Sequence, residues 1–181
     1  MQRFAIFVTL LLAAPAAAEP RGEWLAPSDR ETLDAVETLT TSLKTKVVYV
    51  GRGETPETWT RKLTLWTYPA WVLDRAAFAE HAARIRQAII ADCPDATASE
   101  LSLFDWSELA AAEYAVVCPL YPVTGRQDIY FVRTIAGATG LLAAAVTFHQ
   151  PPTEAEISQA RAWLDSLILC TPASAEPACR R

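Results

Sequence analysis

The two histidines, His81 and His149, are the side chains of this chain that could act as a general base near neutral pH. A catalytic triad would place one of them beside an activated serine or cysteine, but the chain has no G-x-S-x-G motif. His81 falls on a helical pattern close to Phe78, which is typical of a packed helix flank. His149 ends a strand pattern before two prolines, which is typical of an exposed strand end. We therefore predict no catalytic residue of this type.

Carboxylate pairs are a second possible source of catalysis. Asp92 lies close to Asp95 in the chain, and Asp105 lies close to Glu108. A glycosidase needs two carboxyl groups across a sugar-sized cleft, and local sequence does not determine such a distance. A carboxylate-based hydrolase therefore stays an alternative function. No glycine-rich loop precedes a predicted helix, so we expect no nucleotide and no other cofactor.

The four cysteines are Cys93, Cys118, Cys170 and Cys179. A zinc site is disfavoured because no C-x-x-C pair exists and the histidines lack ligand spacing, so no metal is expected. An even number of cysteines in an exported chain indicates two disulfides, with three possible connectivities. Cys93 ends a predicted helix and Cys118 lies on a predicted strand, whereas the other two bracket the C-terminal tail. These positions favour one disulfide between Cys93 and Cys118 and another between Cys170 and Cys179. The first would add about 3 kcal/mol to the free energy of unfolding.

Aromatic residues are concentrated at Trp59, Trp66, Tyr68 and Trp71. On a strand, Trp66 and Tyr68 share a face with Lys62. Either the sheet is covered on that side as well, or these residues pack over the first helix, or they form an exposed patch that grips a peptide, glycan or protein partner. The candidate ligand-binding residues of such a patch are Arg61, Lys62, Trp66, Tyr68 and Trp71. Tyr130 and Arg133 are weaker companions, because their faces are not determined by the pattern.

The N-terminus reads as a secretory signal peptide. A basic start, Met1–Arg3, precedes an uncharged stretch, Phe4–Ala18, that ends in a small-residue cleavage site. The stretch contains Pro15 and is shorter than the about 20 apolar residues that a spanning helix needs. We predict cleavage after Ala18, and a periplasmic or secreted protein with no membrane span after cleavage.

The amino-acid composition disfavours several further classes of protein. With 51% hydrophobic and 20% charged residues among 181, the chain is too apolar to be disordered. Its 16 basic and 21 acidic residues give a net charge of −5, which disfavours nucleic acid as a partner. We predict a signal peptide over residues 1–18, a single domain over 19–170 and a tail over 171–181.

Hydrophobic periodicity predicts the elements that position these side chains. A capping box at Ser28–Glu31 predicts a short helix, although nearby threonines weaken it. Strands are expected over Thr45–Gly51 and Trp59–Tyr68, with Trp59, Arg61, Leu63 and Leu65 on one face of the second. A helix is expected over Asp74–Asp92.

The second half of the chain predicts more strands and a final helix. Strands are expected over 100–106, 114–120, 128–135 and 141–149, with a turn at Gly137–Gly140. A capping box at Thr153–Glu156 opens the last helix. The predicted fold is α+β: a twisted antiparallel sheet of about six strands with two main helices packed on one face.

Several short motifs resemble those of small secreted proteins of proteobacteria that have no assigned activity. They are Gly53–Thr60, Asp92–Pro94, Cys118–Pro119, and Trp163–Leu164 with Cys170. The similarity covers most of residues 45–170, implies an α+β periplasmic domain, and carries over no catalytic residue. A looser likeness to Mog1/PsbP-type domains exists at the level of the fold alone, and a fold does not confer a function.

The sequence thus leads us to expect a non-enzymatic, exported binding or accessory module. It would recognise a protein or an envelope component through the aromatic-bearing face of the sheet. The alternatives are a carboxylate-based hydrolase and an inhibitor or immunity-type protein that acts against an envelope enzyme.

Overall fold

The computed structural model describes residues 22–69, 71–122 and 125–180. The predicted signal peptide and its cleavage site lie outside the described residues. The strands are β1 (Trp24–Ala26), β2 (Leu33–Thr40), β3 (Thr45–Gly51), β4 (Arg61–Pro69), β5 (Thr97–Ala98), β6 (Ser102–Trp106), β7 (Leu109–Tyr121), β8 (Arg126–Ala136), β9 (Gly140–Phe148) and β10 (Ile168–Cys170). The helices are α1 (Arg75–Ala91) and α2 (Glu154–Asp165), and single 3-10 turns occur at Arg30–Thr32 and Pro177–Cys179.

The central element is an open antiparallel sheet of eight strands. Its order is β2-β3-β4-β9-β8-β7-β5, and β6 also pairs with β7. The two short strands β1 and β10 pair separately. The α+β class and the antiparallel sheet are therefore confirmed, but the expected number of about six strands is wrong, because the described residues contain ten strands in two sheets.

The first predicted helix is also wrong. The capping box at Ser28–Glu31 produces only one 3-10 turn, and the chain continues as strand β2. β2 pairs with β3 from Leu33 opposite Gly51 to Thr40 opposite Thr45. The β-branched threonines resist a helix and suit a strand, and pairing with β3 outweighs the local capping signal.

The two main helices are confirmed and each has a side-chain cap. Asp74 accepts a hydrogen bond from the Ala77 amide at 2.8 Å to begin α1. Thr153 and Glu156 form the predicted capping box of α2. The helices do not share one face of the sheet, however, so that part of the expectation is wrong.

Strand β9 shows why the helices lie on opposite faces. All nine of its residues are buried, so both faces of the central sheet need a cover. Leu141 packs with Phe78 of α1, and the next residue, Leu142, packs in the same cluster as Trp163 and Leu164 of α2. Successive strand residues point to opposite faces. We call the two sides the α1 face and the α2 face.

Two disulfides cross-link the domain, one between the end of α1 and β7 and the other between β10 and the C-terminal segment. Cys93 is bonded to Cys118 and Cys170 to Cys179, the pairing that the cysteine positions favoured. The second bridge packs in a cluster with Trp24 of β1. The segment that we predicted as a tail, through residue 180, therefore packs against the start of the domain. No helix in the described ranges is both long and apolar enough to cross a bilayer.

Candidate functional site

Of the five predicted binding residues, Trp66, Tyr68 and Trp71 lie near one another, whereas Lys62 lies at the opposite end of the same strand. Lys62, Trp66 and Tyr68 alternate along β4 on the α1 face, as the pattern predicted. Trp71 follows the strand and stacks on Tyr68, with ring centroids 5.1 Å apart. Arg61 points to the α2 face, where its guanidinium lies 5.1 Å from the centre of the Trp163 ring.

The aromatic part of β4 is largely covered. Tyr68 packs in a cluster with Phe78 of α1, and Trp66 packs beside Tyr114 on the same face. The ring of Trp71 contacts His81 edge-on, with centroids 4.9 Å apart, and remains 40% exposed. We call this region, Trp66, Tyr68 and Trp71 beneath α1, the covered end of the α1 face.

The two weaker companions separate onto different faces. Arg133 faces α2 and is buried; it donates to Glu113, to Asp165 at 2.6 Å and to the Leu164 carbonyl at 2.8 Å. These bonds tie α2 to β7 and β8, so Arg133 holds the fold together. Tyr130 lies on the α1 face and belongs to a polar cluster at the other end of that face.

This polar cluster is built around Asp128, a fully buried carboxylate. One oxygen of Asp128 lies 2.8 Å from Nδ1 of His149, and the other accepts a hydrogen bond from the Tyr130 hydroxyl at 2.9 Å. Burial and the nearby Asp128 charge raise the pKa of Tyr130, so its hydroxyl stays a donor. The prediction that His149 is an exposed strand end is therefore wrong.

The Trp59 ring contacts two side chains, those of His149 and Lys62. It lies against the His149 ring, with centroids 3.4 Å apart, and Nζ of Lys62 lies 4.4 Å from its centre. Trp59 was expected on the face of Leu63, which is wrong because β4 begins only at Arg61 and the preceding turn redirects the chain. Burial lowers the pKa of Lys62, and the Asp128 charge partly opposes that change. We call Lys62, Trp59, His149, Asp128 and Tyr130 the open end of the α1 face.

Sequence reasoning missed Asp128 and His149 as a pair, although a signal for it was present. The predicted turn at Gly137–Gly140 is formed, with the Gly137 amide donating to the Gly140 carbonyl at 2.9 Å. In a hairpin the turn sets the register, and this one places Ile129 opposite Phe148. Continuing that register by one residue puts Asp128 opposite His149.

A groove passes around the end of the sheet where β4 begins and β9 ends. Its larger cavity, of about 670 Å³, is bordered by Trp59, Arg126, His149 and Pro152. A second cavity, of about 250 Å³, lies beside Arg61 and Trp163 on the α2 face. Both are lined by Thr60, Phe148 and Glu156. Because they share these residues, the two cavities lie side by side, and we call them together the groove.

The wall of the larger cavity contains a histidine that is paired with a buried carboxylate. Asp128 orients His149 as the acid of a triad orients its base, but Nε2 of His149 is buried without a hydrogen-bond partner among the described residues. The described ranges also contain no cluster of three or more histidine, cysteine or acidic residues that could hold a metal ion. No protein-family model matches the chain, and a search of curated proteins finds no match. The geometry of the groove is thus what bears on function.

Proposed function

We propose that this protein is an exported, non-enzymatic binding module that recognises a protein or envelope component in the groove. The observation that carries the proposal is a cavity of about 670 Å³ that lies beside a second of about 250 Å³. The larger cavity falls in the range of about 300–1,000 Å³ that is typical of ligand sites.

The wall of the groove at the open end is held in place before any ligand arrives. The Trp59 ring contacts both His149 and Lys62, and His149 is paired with the buried Asp128. Side chains fixed in this way lose little conformational freedom on binding, so less of the interaction free energy is spent on ordering them. Such a wall supports a binding role.

The position of His149 favours binding over catalysis. A general base must come within hydrogen-bond reach of the proton that it removes. Nε2 of His149 is enclosed, with the Trp59 ring against the imidazole. A substrate would first have to displace Trp59, whose own contacts with Lys62 and His149 oppose that movement.

Export is supported by the two disulfides, because such bonds persist in oxidising compartments. Intact-mass analysis of protein from its native host tests this part. We expect a chain that begins at Glu19 and takes up no alkylating reagent without a reductant. A chain that begins at Met1 and carries four reactive thiols would contradict export.

The groove itself is tested by capture of a partner from envelope extract, quantified by mass spectrometry. Arg126→Glu reverses a charge in the groove, whereas Lys44→Glu makes the same reversal beside the β2–β3 turn, at the other end of β3. We expect one component to be retained by the wild type and by Lys44→Glu but lost with Arg126→Glu.

A third variant, Trp71→Ala, tests whether the partner binds at the covered end rather than in the groove. The captured component should stay bound to this variant. Loss with Trp71→Ala together with retention by Arg126→Glu would place recognition at the aromatic patch instead. Retention by all three variants would overturn the groove as the binding site.

A further inference from the structure

A small cavity with mainly apolar walls lies on the α1 face, where β2, β3 and β4 run side by side. Its volume is about 140 Å³. The apolar part of the lining comes from Val36, Val48, Val50, Pro56 and Trp59. An apolar cavity of about 150 Å³ engineered in another protein stays dry and binds benzene. The cavity beside β4 therefore has room for an apolar molecule of about four to six carbon atoms.

The amine of Lys62 belongs to the same lining. Its Nζ lies 4.4 Å from the centre of the Trp59 ring. Among the described residues, this amine donates no hydrogen bond and has no carboxylate oxygen within 4.0 Å. The cavity thus contains an amine that is in contact with an indole ring and is held by no polar bond.

The carboxylates whose charges act on Lys62 are bonded to other groups. Glu37, which also lines the cavity, pairs with Nζ of Lys46 at 2.9 Å. The buried carboxylate of Asp128 is bonded on both oxygens within the open end. Neither carboxylate therefore fixes the amine of Lys62 in an ion pair.

The surroundings of Lys62 favour its unprotonated amine. Burial lowers the pKa of Lys62 below 10.5. The charges of Asp128 and Glu37 oppose this change, whereas the charges of Lys46 and Arg126 add to it. The amine therefore loses its proton at a lower pH than an exposed lysine, and a desolvated lysine amine of this kind can attack a carbonyl group.

The lining also selects the class of ligand. A charged ligand would lose its hydration among the valine side chains, whereas an alkyl chain gains free energy by leaving water. An aldehyde group is uncharged and reacts directly with an amine. A small apolar aldehyde therefore suits both the walls of the cavity and Lys62.

We propose that Lys62 is a covalent site for small apolar aldehydes, which occupy the cavity beside it. The unprotonated amine attacks the carbonyl carbon, and a carbon–nitrogen double bond replaces the carbon–oxygen bond. The carbonyl oxygen leaves as water with the two hydrogens of the amine, so the imine forms without an oxidant or a reductant. Lys62 does not line the groove, and this inference is independent of the proposed function.

The test uses the purified, disulfide-bonded protein with sodium cyanoborohydride, which reduces an imine to a stable secondary amine. Butanal probes the cavity, and formaldehyde, which is small enough to need no cavity, probes the reactivity of each amine. The chain has three lysines, Lys44, Lys46 and Lys62, so mass spectrometry of chymotryptic peptides and their fragments reads each site separately.

We expect the native protein to distinguish its lysines. The ratio of butyl to methyl adducts at Lys62 should exceed the ratio at Lys44 by at least about fivefold, because the cavity buries the butyl chain. Methylation of Lys62 should also begin at a lower pH than methylation of Lys44. In urea, where the cavity is lost, the three lysines should give the same ratio.

Two matched variants locate the butyl group. Val36→Phe places a larger side chain in the cavity, so the ratio at Lys62 should fall to the ratio at Lys44. Val72→Phe makes the same change at a side chain that is 60% exposed and outside the cavity, and it should leave the ratio unchanged. Thermal unfolding shows whether each variant is folded. If Val36→Phe does not fold, the comparison of the wild type in buffer and in urea decides the test.

Three outcomes would overturn the inference. The first is a ratio of butyl to methyl adducts at Lys62 of the native protein that equals or falls below the ratio at Lys44. The second is a folded Val36→Phe that keeps the wild-type ratio, because the butyl chain would then lie outside the cavity. The third is methylation of Lys62 that begins only at the pH that Lys44 requires, because the amine would then have no special reactivity.

Discussion

The covered end and the open end of the α1 face lie on the same sheet but differ in how their buried polar groups are hydrogen-bonded. At the open end, the buried carboxylate of Asp128 is paired on both oxygens, with His149 and Tyr130, and Nε2 of His149 is the only buried polar atom of this cluster without a hydrogen-bond partner among the described residues. Beneath α1, the hydroxyls of Tyr114 and Thr134 are buried without a hydrogen-bond partner among the described residues. One end is organised by polar bonds, and the other by apolar packing.

The two ends differ in the interactions that hold their side chains in place. Helix α1 covers its end with apolar side chains such as Phe78 and Ala82, and that packing tolerates unpaired hydroxyls. At the open end, a hydrogen-bonded network holds Asp128, His149 and Tyr130. A region that must present a fixed surface to a ligand benefits from such a network. Two of the aromatic residues that first suggested a binding site, Tyr68 and Trp66, pack in clusters that contain Phe78 and Ile89 of α1.

The largest expected effect comes from breaking the open-end network. Asp128→Ala leaves Nδ1 of His149 and the Tyr130 hydroxyl without their buried partner, so the free energy of unfolding should fall by about 3 kcal/mol. Urea denaturation measures it. Asp105→Ala is the control, since Asp105 forms an exposed ion pair with Arg75 that contributes less than about 1 kcal/mol. Equal losses in the two variants would contradict the structural role of Asp128.

A matched pair of hydroxyl deletions tests the two ends directly. Tyr130→Phe removes a bond to the buried carboxylate and should lower the free energy of unfolding by about 1.5 kcal/mol. Tyr114→Phe removes a buried hydroxyl that has no partner, and should raise it by up to about 1 kcal/mol. Both are measured by urea denaturation. Changes of the same sign would mean that the two ends are not distinguished by their hydrogen bonding.

Trp71→Ala sharpens the comparison at the covered end. The variant loses the ring contacts with Tyr68 and His81, so thermal unfolding should show a loss of about 1 kcal/mol. Capture of the partner from envelope extract should stay at the wild-type level, because Trp71 does not line the groove. A loss of capture comparable to that of Arg126→Glu would give the covered end a direct part in binding.

The smallest expected effect is a response to alkaline pH. Burial lowers the pKa of Lys62 below 10.5, so the folded protein loses that proton first and stability rises with pH up to about 10.5. Burial raises the pKa of Tyr68 above 10.0, so the unfolded chain loses that proton first and stability falls above about pH 10.

Urea unfolding across the alkaline range separates these opposite contributions. In the wild type, we expect the free energy of unfolding to rise with pH up to about 10.5, and Lys62→Met should remove that rise. Tyr68→Phe should remove part of the decrease in the free energy of unfolding above about pH 10. Lys44→Met, which deletes a lysine outside both ends, is the control for the first variant. Curves for Lys62→Met and Lys44→Met that coincide would argue against a buried amine at Lys62.

Much of the fold could be predicted because its signals are local. Asp74 and the Thr153–Glu156 box are cap residues that act within one turn, and they begin α1 and α2 as expected. Alternation along β4 correctly grouped Lys62 with Trp66 and Tyr68. The capping signal at Ser28 failed because its competitor, strand β3, lies outside that local window.

The candidate site was less predictable because its parts come from different hairpins. Asp128 and His149 are joined through the register of β8 and β9, which the glycine turn indicates. Trp59 and Lys62 reach them only because β4 pairs with β9. No local sequence pattern near β4 predicts that β4 pairs with β9.

The amino-acid sequence by itself determined the capped helices, the alternation on β4, the glycine turn and the cysteines that form the two bridges. Each depends on neighbours within a few residues or on a count of one residue type. Only the tertiary structure decided that α1 and α2 cover opposite faces, that the aromatic residues of β4 lie beneath a helix, and that Asp128, His149 and Trp59 meet at a groove. These outcomes depend on which distant strands pair, since burial of both faces of β9 is a property of the whole sheet.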